Sequence, residues 1–188
     1  LVTVRDRVDD ALEAVGIYRH SLELKVDQSV SPWSVILVLE HGEPLRYRDV
    51  KVQLTGEGAG EARLAKIVTE RAPAEGDVAN HGRYEDFKSA LLRAARELGY
   101  FEADFARSEL RIDPEAGFAE AALIFDTGSR YRFGALRGSP EILSPEILDT
   151  LSPFAPGDPY DQALLLELRA RLLRLGYFNS VVVLPLFE

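Results

Sequence analysis

The feature that most constrains this chain is a cassette that occurs three times: an amphipathic helix, a glycine, an apolar pair and then a strand. The glycines are Gly16, Gly99 and Gly176, separated by 83 and then 77 residues. Counting back from each, the positions at −1, −4, −8 and −12 are apolar in every copy. They are Val15, Leu12, Val8 and Val4, then Leu98, Ala95, Leu91 and Phe87, then Leu175, Leu172, Leu168 and Leu164. This spacing lays one apolar stripe along one helical face, with charges such as Arg93, Arg96 and Glu97 between. A glycine can close each helix in the left-handed conformation without Cβ strain. The pairs Ile17-Tyr18, Tyr100-Phe101 and Tyr177-Phe178 then read as apolar plugs folded back on the last turn. Strands are expected next, at Ser21–Asp27, Phe105–Asp113 and 181–187.

A second block recurs ahead of the helices. Gly42-Glu-Pro-Leu-Arg-Tyr-Arg leads into 50–56, and Gly128-Ser-Arg-Tyr-Arg-Phe leads into 134–138, each reading as a turn, a strand and a closing glycine. Short amphipathic helices follow at Glu61–Glu70 and Ser144–Leu151, the latter with Ser144 as N-cap and Pro145 at the first helical position. The links Ala72–Asp77 and Pro153–Pro159 are rich in Pro, Gly and Asp. The unit is therefore strand, short helix, long helix, strand, strand, an α+β class built in tandem. Residues 1–42 hold a partial first unit, long helix plus hairpin (Ser21–Asp27 and Ser34–His41). Residues 43–128 hold a complete second unit ending in a hairpin across Pro114-Glu-Ala-Gly117. Residues 129–188 hold a third unit lacking its last strand. Each complete unit is expected to form a small three-stranded mixed sheet with two helices on one face. The first piece is too small to bury a core alone, so it is expected to lean on the second or to be partly ordered.

Composition narrows the function. The chain of 188 residues is 46% hydrophobic, enough for packed cores, and carries a formal net charge of −9. That sign repels phosphate backbones and anionic headgroups, which argues against nucleic acid. No run approaches the length of a membrane-spanning helix. With no cysteine there are no disulfides, thiolate nucleophiles or Cys-ligated zinc. Methionine is also absent and the helical pattern is already under way at Leu1, so the sequence reads as a piece of a longer protein.

The chemical candidates are weak. His20, His41 and His81 fall in loops or at strand ends with no i, i+4 pairing, and read as exposed. Gly56-Glu-Gly-Ala-Gly60 lies where a phosphate loop would, but its spacing is wrong and Glu57 and Glu61 add negative charge; a flexible connection is expected. Asp9, Asp10, Glu85, Asp86 and Asp161 are assigned to the starts of the long helices, where acids favour the macrodipole. Tyr47, Tyr131 and Phe133 are placed on strands, packing helices rather than stacking on RNA bases. No nucleophile-elbow motif is present. No catalytic residue, metal site or cofactor is assigned, and the chain is read as non-enzymatic.

One feature favours binding. The strand after the long helix should be a sheet edge: Ala106, Arg107, Ser108, Glu109, Leu110, Arg111 and Ile112 in the second unit. Charges at 107, 109 and 111 alternate with Leu110 and Ile112. Such an edge resists self-pairing yet can accept a guest strand. Pro185, in the corresponding stretch of the third unit, suits an edge.

The repeated unit resembles the POTRA domains of outer-membrane assembly proteins in the BamA/TamA superfamily, and more narrowly the periplasmic region of TamA-like members. The stretches that carry the likeness are Arg7-Val-Asp-Asp-Ala-Leu-Glu-Ala-Val-Gly, Tyr84-Glu-Asp-Phe-Lys-Ser-Ala-Leu, Gly128-Ser-Arg-Tyr-Arg-Phe-Gly and Gly176-Tyr-Phe-Asn-Ser-Val-Val-Val. They cover nearly the whole chain, and Ile17 departs from the aromatic expected after the first glycine. The resemblance implies the periplasmic part of an outer-membrane protein in a Gram-negative envelope, working in autotransporter assembly and translocation. It implies a C-terminal barrel outside this sequence, a TamB-like inner-membrane-anchored partner and nascent outer-membrane proteins as clients. Two other readings stay open: a structural spacer sensitive at Glu43–Arg46 and Gly128–Tyr131, and a catalytic α+β domain using scattered acids and histidines.

Overall fold

A computed structural model describes residues 2–29, 32–138 and 143–186. Among these residues the chain runs α1 (Val2–Ala14), β1 (His20–Asp27), β2 (Ser34–His41), β3 (Arg46–Thr55), a 3-10 turn (Glu57–Gly60), α2 (Ala62–Arg71), α3 (His81–Glu97), β4 (Asp104–Asp113), β5 (Phe118–Asp126), α4 (Pro145–Leu151) and α5 (Gln162–Arg174). The class is α+β, with five α-helices and two small sheets among the described residues. One sheet is the antiparallel hairpin β1-β2, in register from His20 opposite His41 to Asp27 opposite Ser34. The other has the order β3-β5-β4, which makes β5 central. Along β5 the residues Ala119, Ala121, Leu123 and Phe125 are buried while Phe118, Glu120, Ala122 and Ile124 are half-buried and Asp126 is exposed, the period of two expected of a sheet with one covered face. The turn into β5 is set locally: Asp113 Oδ1 accepts from Ala116 N at 2.9 Å, and Gly117 N donates to Asp113 O at 2.9 Å.

The chain forms two compact units, each assembled from three stretches. One comprises Leu1–Gln53, Lys66–Ala90 and Phe105–Ile124, and the other Leu54–Ala65, Leu91–Asp104 and Phe125–Glu188. Residues of the middle repeat fall in both. In the first unit the β1-β2 hairpin leaves Val26 and every apolar residue from Val35 to Leu39 exposed. In the second, Phe133, Phe154, Tyr160, Leu168 and Leu172 form a buried cluster. The rings of Phe133 and Phe154 stack with centroids 3.7 Å apart.

Each unit contains one copy of the same main-chain joint. In the first, Leu45 N donates to Gly16 O at 2.8 Å and Ala79 N donates to Leu45 O at 2.8 Å. Tyr47 N then donates to Asp77 O and Gly76 N to Tyr47 O, while the Arg46 guanidinium donates to Gly76 O. In the second, Tyr131 N donates to Gly99 O at 2.9 Å and Tyr160 N to Tyr131 O at 2.9 Å. Phe133 N donates to Asp158 O, Gly157 N to Phe133 O and the Arg132 guanidinium to Gly157 O. Gly16 and Gly99 hold these positions with φ of +88° and +92°, and a Cβ would meet Ala79 O at 3.0 Å or Tyr160 Cβ at 2.8 Å. A helix-terminal glycine thus serves twice: its left-handed turn ends the helix, and its carbonyl anchors the segment that opens the next repeat.

The structure departs from the sequence expectations in several places. The stretch 181–186 is not a strand, and 128–138 contributes only a single bridge pair, Arg132 with Pro159. Tyr131 and Phe133 therefore lie outside any strand. A strand exists through its ladder, and neither segment has a neighbour to complete one among the described residues. Residue 187 of the expected strand lies outside the described residues. Tyr177 is 85% exposed and plugs nothing. Gly56–Gly60 is no flexible link either: it turns into the 3-10 segment and packs tightly. A Cβ on buried Gly58 would stand 2.7 Å from Tyr100 Cζ, and Gly58 N donates to Thr127 Oγ1 at 2.9 Å. Ser144 occupies the N-cap of α4 without a side-chain cap bond; its hydroxyl engages Glu146 and holds that carboxyl below the usual range.

Candidate protein-binding edge

In the β3-β5-β4 sheet, β4 is an outer strand, with β5 on one side and no strand among the described residues on the other. All seven residues Ala106, Arg107, Ser108, Glu109, Leu110, Arg111 and Ile112 lie on it. Ser108 Oγ is 3.2 Å from Tyr84 Oη on α3, while Leu110 and Ile112 are half-buried. Arg107 and Glu109 pair with each other at 2.7 Å, which holds the Glu109 carboxyl below the usual carboxylate range. Arg111 is 3.6 Å from Glu120 on β5, and Glu120 also pairs with Arg48 on β3. Arg48 in turn lies over the Phe118 ring at 3.4 Å. The charges therefore neutralise one another along and across the sheet surface, and the outer edge of β4 offers main-chain donors and acceptors rather than a charged side-chain pattern.

The chemical candidates do not assemble. His20 stands at the start of β1, where its Nε2 donates to Asp9 Oδ1 at 2.7 Å; its side chain is only 12% exposed, so it is not a free loop residue. His81 opens α3 and shares a hydrogen bond with Tyr18 Oη at 2.8 Å. His41 ends β2 and is exposed, with its ring Nδ1 beside Gly42 O. The acids are mostly not at helix starts: Asp9 and Asp10 lie deep in α1, and Glu85 and Asp86 lie beyond the first turn of α3, where Glu85 pairs with Lys88. Asp161 does cap its helix, accepting from Ala163 N at 2.8 Å. No three His, Asp or Glu side chains converge as metal ligands among the described residues. The loop matching Gly56–Gly60 in the third repeat, residues 137–142, lies largely outside the described residues.

Sequence reasoning missed the repeated joint. Its signal was present: Gly76-Asp77 and Gly157-Asp158 occupy the same place in the two links, each opposite an arginine followed by an aromatic, Arg46-Tyr47 and Arg132-Phe133. The aspartates act alike, Asp77 Oδ2 accepting from Ala74 N at 3.1 Å and Asp158 Oδ2 from Ala155 N at 2.8 Å.

Residues 135–185 match the family described as POTRA, surface antigen variable number repeat. Among solved structures, the chain is similar to the BamA POTRA3-5 segment of Haemophilus influenzae, at 18% identity over 96% of this chain and 72% of that one, with a TM-score of 0.47. It is also similar to POTRA1-3 of the periplasmic domain of Omp85 from Anabaena, at 14% identity over 96% and 73%, TM-score 0.38. A third is the N-terminal domain of Omp85 from Thermosynechococcus elongatus, at 18% identity over 97% and 75%, TM-score 0.38.

Proposed function

We propose that this chain is a non-enzymatic protein-interaction module, the periplasmic POTRA array of a TamA-like outer-membrane assembly factor. Its repeats are divided at 1–42, 43–128 and 129–188. The observation that carries the reading is β4: an outer strand whose charges at 107, 109 and 111 are already paired and which has no strand on its outer side among the described residues. The POTRA match over 135–185 supports the family part of it. Such an edge recognises an extended segment through backbone pairing, with little demand for particular side chains. The ligands would be strands of nascent outer-membrane proteins and a TamB-like partner, and no cofactor takes part.

Proline scanning tests this. Successive residues of a strand turn their N–H groups to opposite sides, so Ser108→Pro and Glu109→Pro strike opposite edges. One of the two should leave the circular dichroism spectrum and thermal midpoint nearly unchanged yet weaken binding of an outer-membrane strand peptide at least about tenfold, as loss of one or two backbone pairs implies. Full binding by both variants, each folded, would sink the strand-addition role.

The repeated joint favours a second reading, in which the array is a spacer of fixed geometry. On that view Leu45→Pro and Tyr131→Pro, which delete the donors to Gly16 O and Gly99 O, impair function while every β4 variant is tolerated.

A further inference from the structure

Two neighbouring residues, Tyr18 and Arg19, reach from the turn after α1 to the elements that frame β4. The Arg19 guanidinium donates from Nε to Pro114 O at 3.0 Å and from Nη2 to Glu115 O at 2.5 Å. Both carbonyls belong to the turn that ends β4 and opens β5. The turn's own bonds, Ala116 N to Asp113 Oδ1 and Gly117 N to Asp113 O, leave these two carbonyls over. The planar fork of one arginine holds both.

Tyr18 turns to α3 instead. Its hydroxyl shares a hydrogen bond with His81 at 2.8 Å, and three residues further along α3 Tyr84 Oη lies 3.2 Å from Ser108 Oγ on β4. The first piece thus meets β4 directly at its end and, through α3, at its middle. All of these residues belong to one compact unit. The second joint is built otherwise. Glu102, in the place of Arg19, stays within the joint and accepts from Tyr131 Oη at 3.2 Å. The long-range clamp therefore comes from the side chain at 19 and not from the joint that the two units share.

A contact made jointly by the docked first piece and by the β4 turn makes each the other's effector. A guest strand must also order the edge it pairs with, and an edge already held at its end is bound at less cost. We infer that residues 1–42 are a positive effector of strand capture at β4, with Arg19 as the positioning residue that transmits the coupling, an inference that rests on the binding role proposed above for β4. The edge binds best while the first piece is docked through Leu45 N and Gly16 O.

The test uses the full chain, its Arg19→Ala and Arg19→Lys variants, and the outer-membrane strand peptide used against the proline variants. Arg19→Ala should weaken binding about fivefold, the lower end of the usual range for coupled sites, without changing the circular dichroism spectrum. Arg19→Lys keeps the charge but not the fork and should fall between the two. In free Arg19→Ala the amides of Ala116 and Gly117 should exchange about fivefold faster. Reciprocity adds a readout that a merely structural role would not move. Saturating peptide should slow exchange at Leu45, whose amide bonds Gly16 O in the docked state, by a similar factor, and in Arg19→Ala that slowing should vanish. Equal binding by parent and Arg19→Ala, with Leu45 indifferent to peptide, would overturn the coupling and leave the β4 reading standing. Tighter binding by Arg19→Ala would overturn it too, because the first piece would then be shielding the edge. A parent that binds the peptide no better than both Ser108→Pro and Glu109→Pro removes the β4 reading, and the coupling with it.

Discussion

Tyr47 is 3% exposed, and its hydroxyl finds no hydrogen-bond partner among the described residues. Burial, reinforced by Tyr84, Tyr18 and Asp77, pushes its pKa up to about 12. An unpartnered buried hydroxyl costs free energy that a phenyl ring does not, and the corresponding joint position in the third repeat is Phe133. Tyr47→Phe should therefore stabilise the protein by about 1 kcal/mol at neutral pH, read from urea denaturation. The pH dependence has a definite sign. Below pH 10 both folded and unfolded chains keep this proton. Between about 10 and about 12 the unfolded chain loses it first, so stability falls as pH rises, by at most about 1.4 kcal/mol per pH unit. Tyr18, Tyr100 and Tyr160 are raised in the same direction by burial, so the informative quantity is the difference from Tyr47→Phe, whose decline should be shallower. Parallel curves would refute the assignment. The sequence reading of Tyr47 as a packing aromatic on a strand holds, but nothing in Arg-Tyr-Arg signals that its hydroxyl is buried without a partner.

Elements differ in how far the sequence reveals them. The long helices were legible because their apolar stripe is local, and α1, α3 and α5 fall where the glycine-anchored pattern puts them. The glycine run was not, because packing partners distant in the chain decide whether such a run is loose or tight. Gly58 packs on Tyr100, and its N–H donates to the fully buried Thr127, whose Oγ1 also lies 3.2 Å from the carbonyls of Thr55 and Gly128. Thr127→Val keeps the shape but strands the Gly58 N–H, at a cost of about 1–3 kcal/mol. Gly58→Ala forces a methyl against a ring and should cost a similar amount, about 1–3 kcal/mol. Gly60, two residues on, has nothing within 4 Å of its Cβ position, so Gly60→Ala should stay within about 0.5 kcal/mol of the parent. Chemical denaturation of the three variants separates a packed turn from a flexible one, since a flexible turn would tolerate all three.

For the molecule as a whole, the distribution of buried side chains is uneven. Among the described residues, sixteen of the buried hydrophobic side chains lie within 43–128, five within 129–188 and none within 1–42. The charge and the repeat spacing could be counted from the sequence, but this imbalance could not, because the stripe of α1 looks as apolar as that of α3 until one asks what covers it. What ties down the first piece is mostly backbone and polar: Leu45 N to Gly16 O, Tyr18 Oη with His81, and Arg19 donating to Pro114 O at 3.0 Å and Glu115 O at 2.5 Å. Bonds of that kind hold a segment against a folded neighbour but do not offset the entropy of ordering it alone. The proposed repeat division then makes a sharp statement, although the two compact units each draw on three stretches of chain. Residues 43–128 expressed alone should unfold in one cooperative urea transition, at a lower midpoint than in the parent because the Gly16 anchor and the Arg130 bond to Leu98 O are gone. Residues 1–42 alone should show no cooperative transition and little ordered circular dichroism. Cooperative folding of 1–42, or a 43–128 fragment that stays unfolded without its neighbours, would show that the cooperative unit is not the repeat.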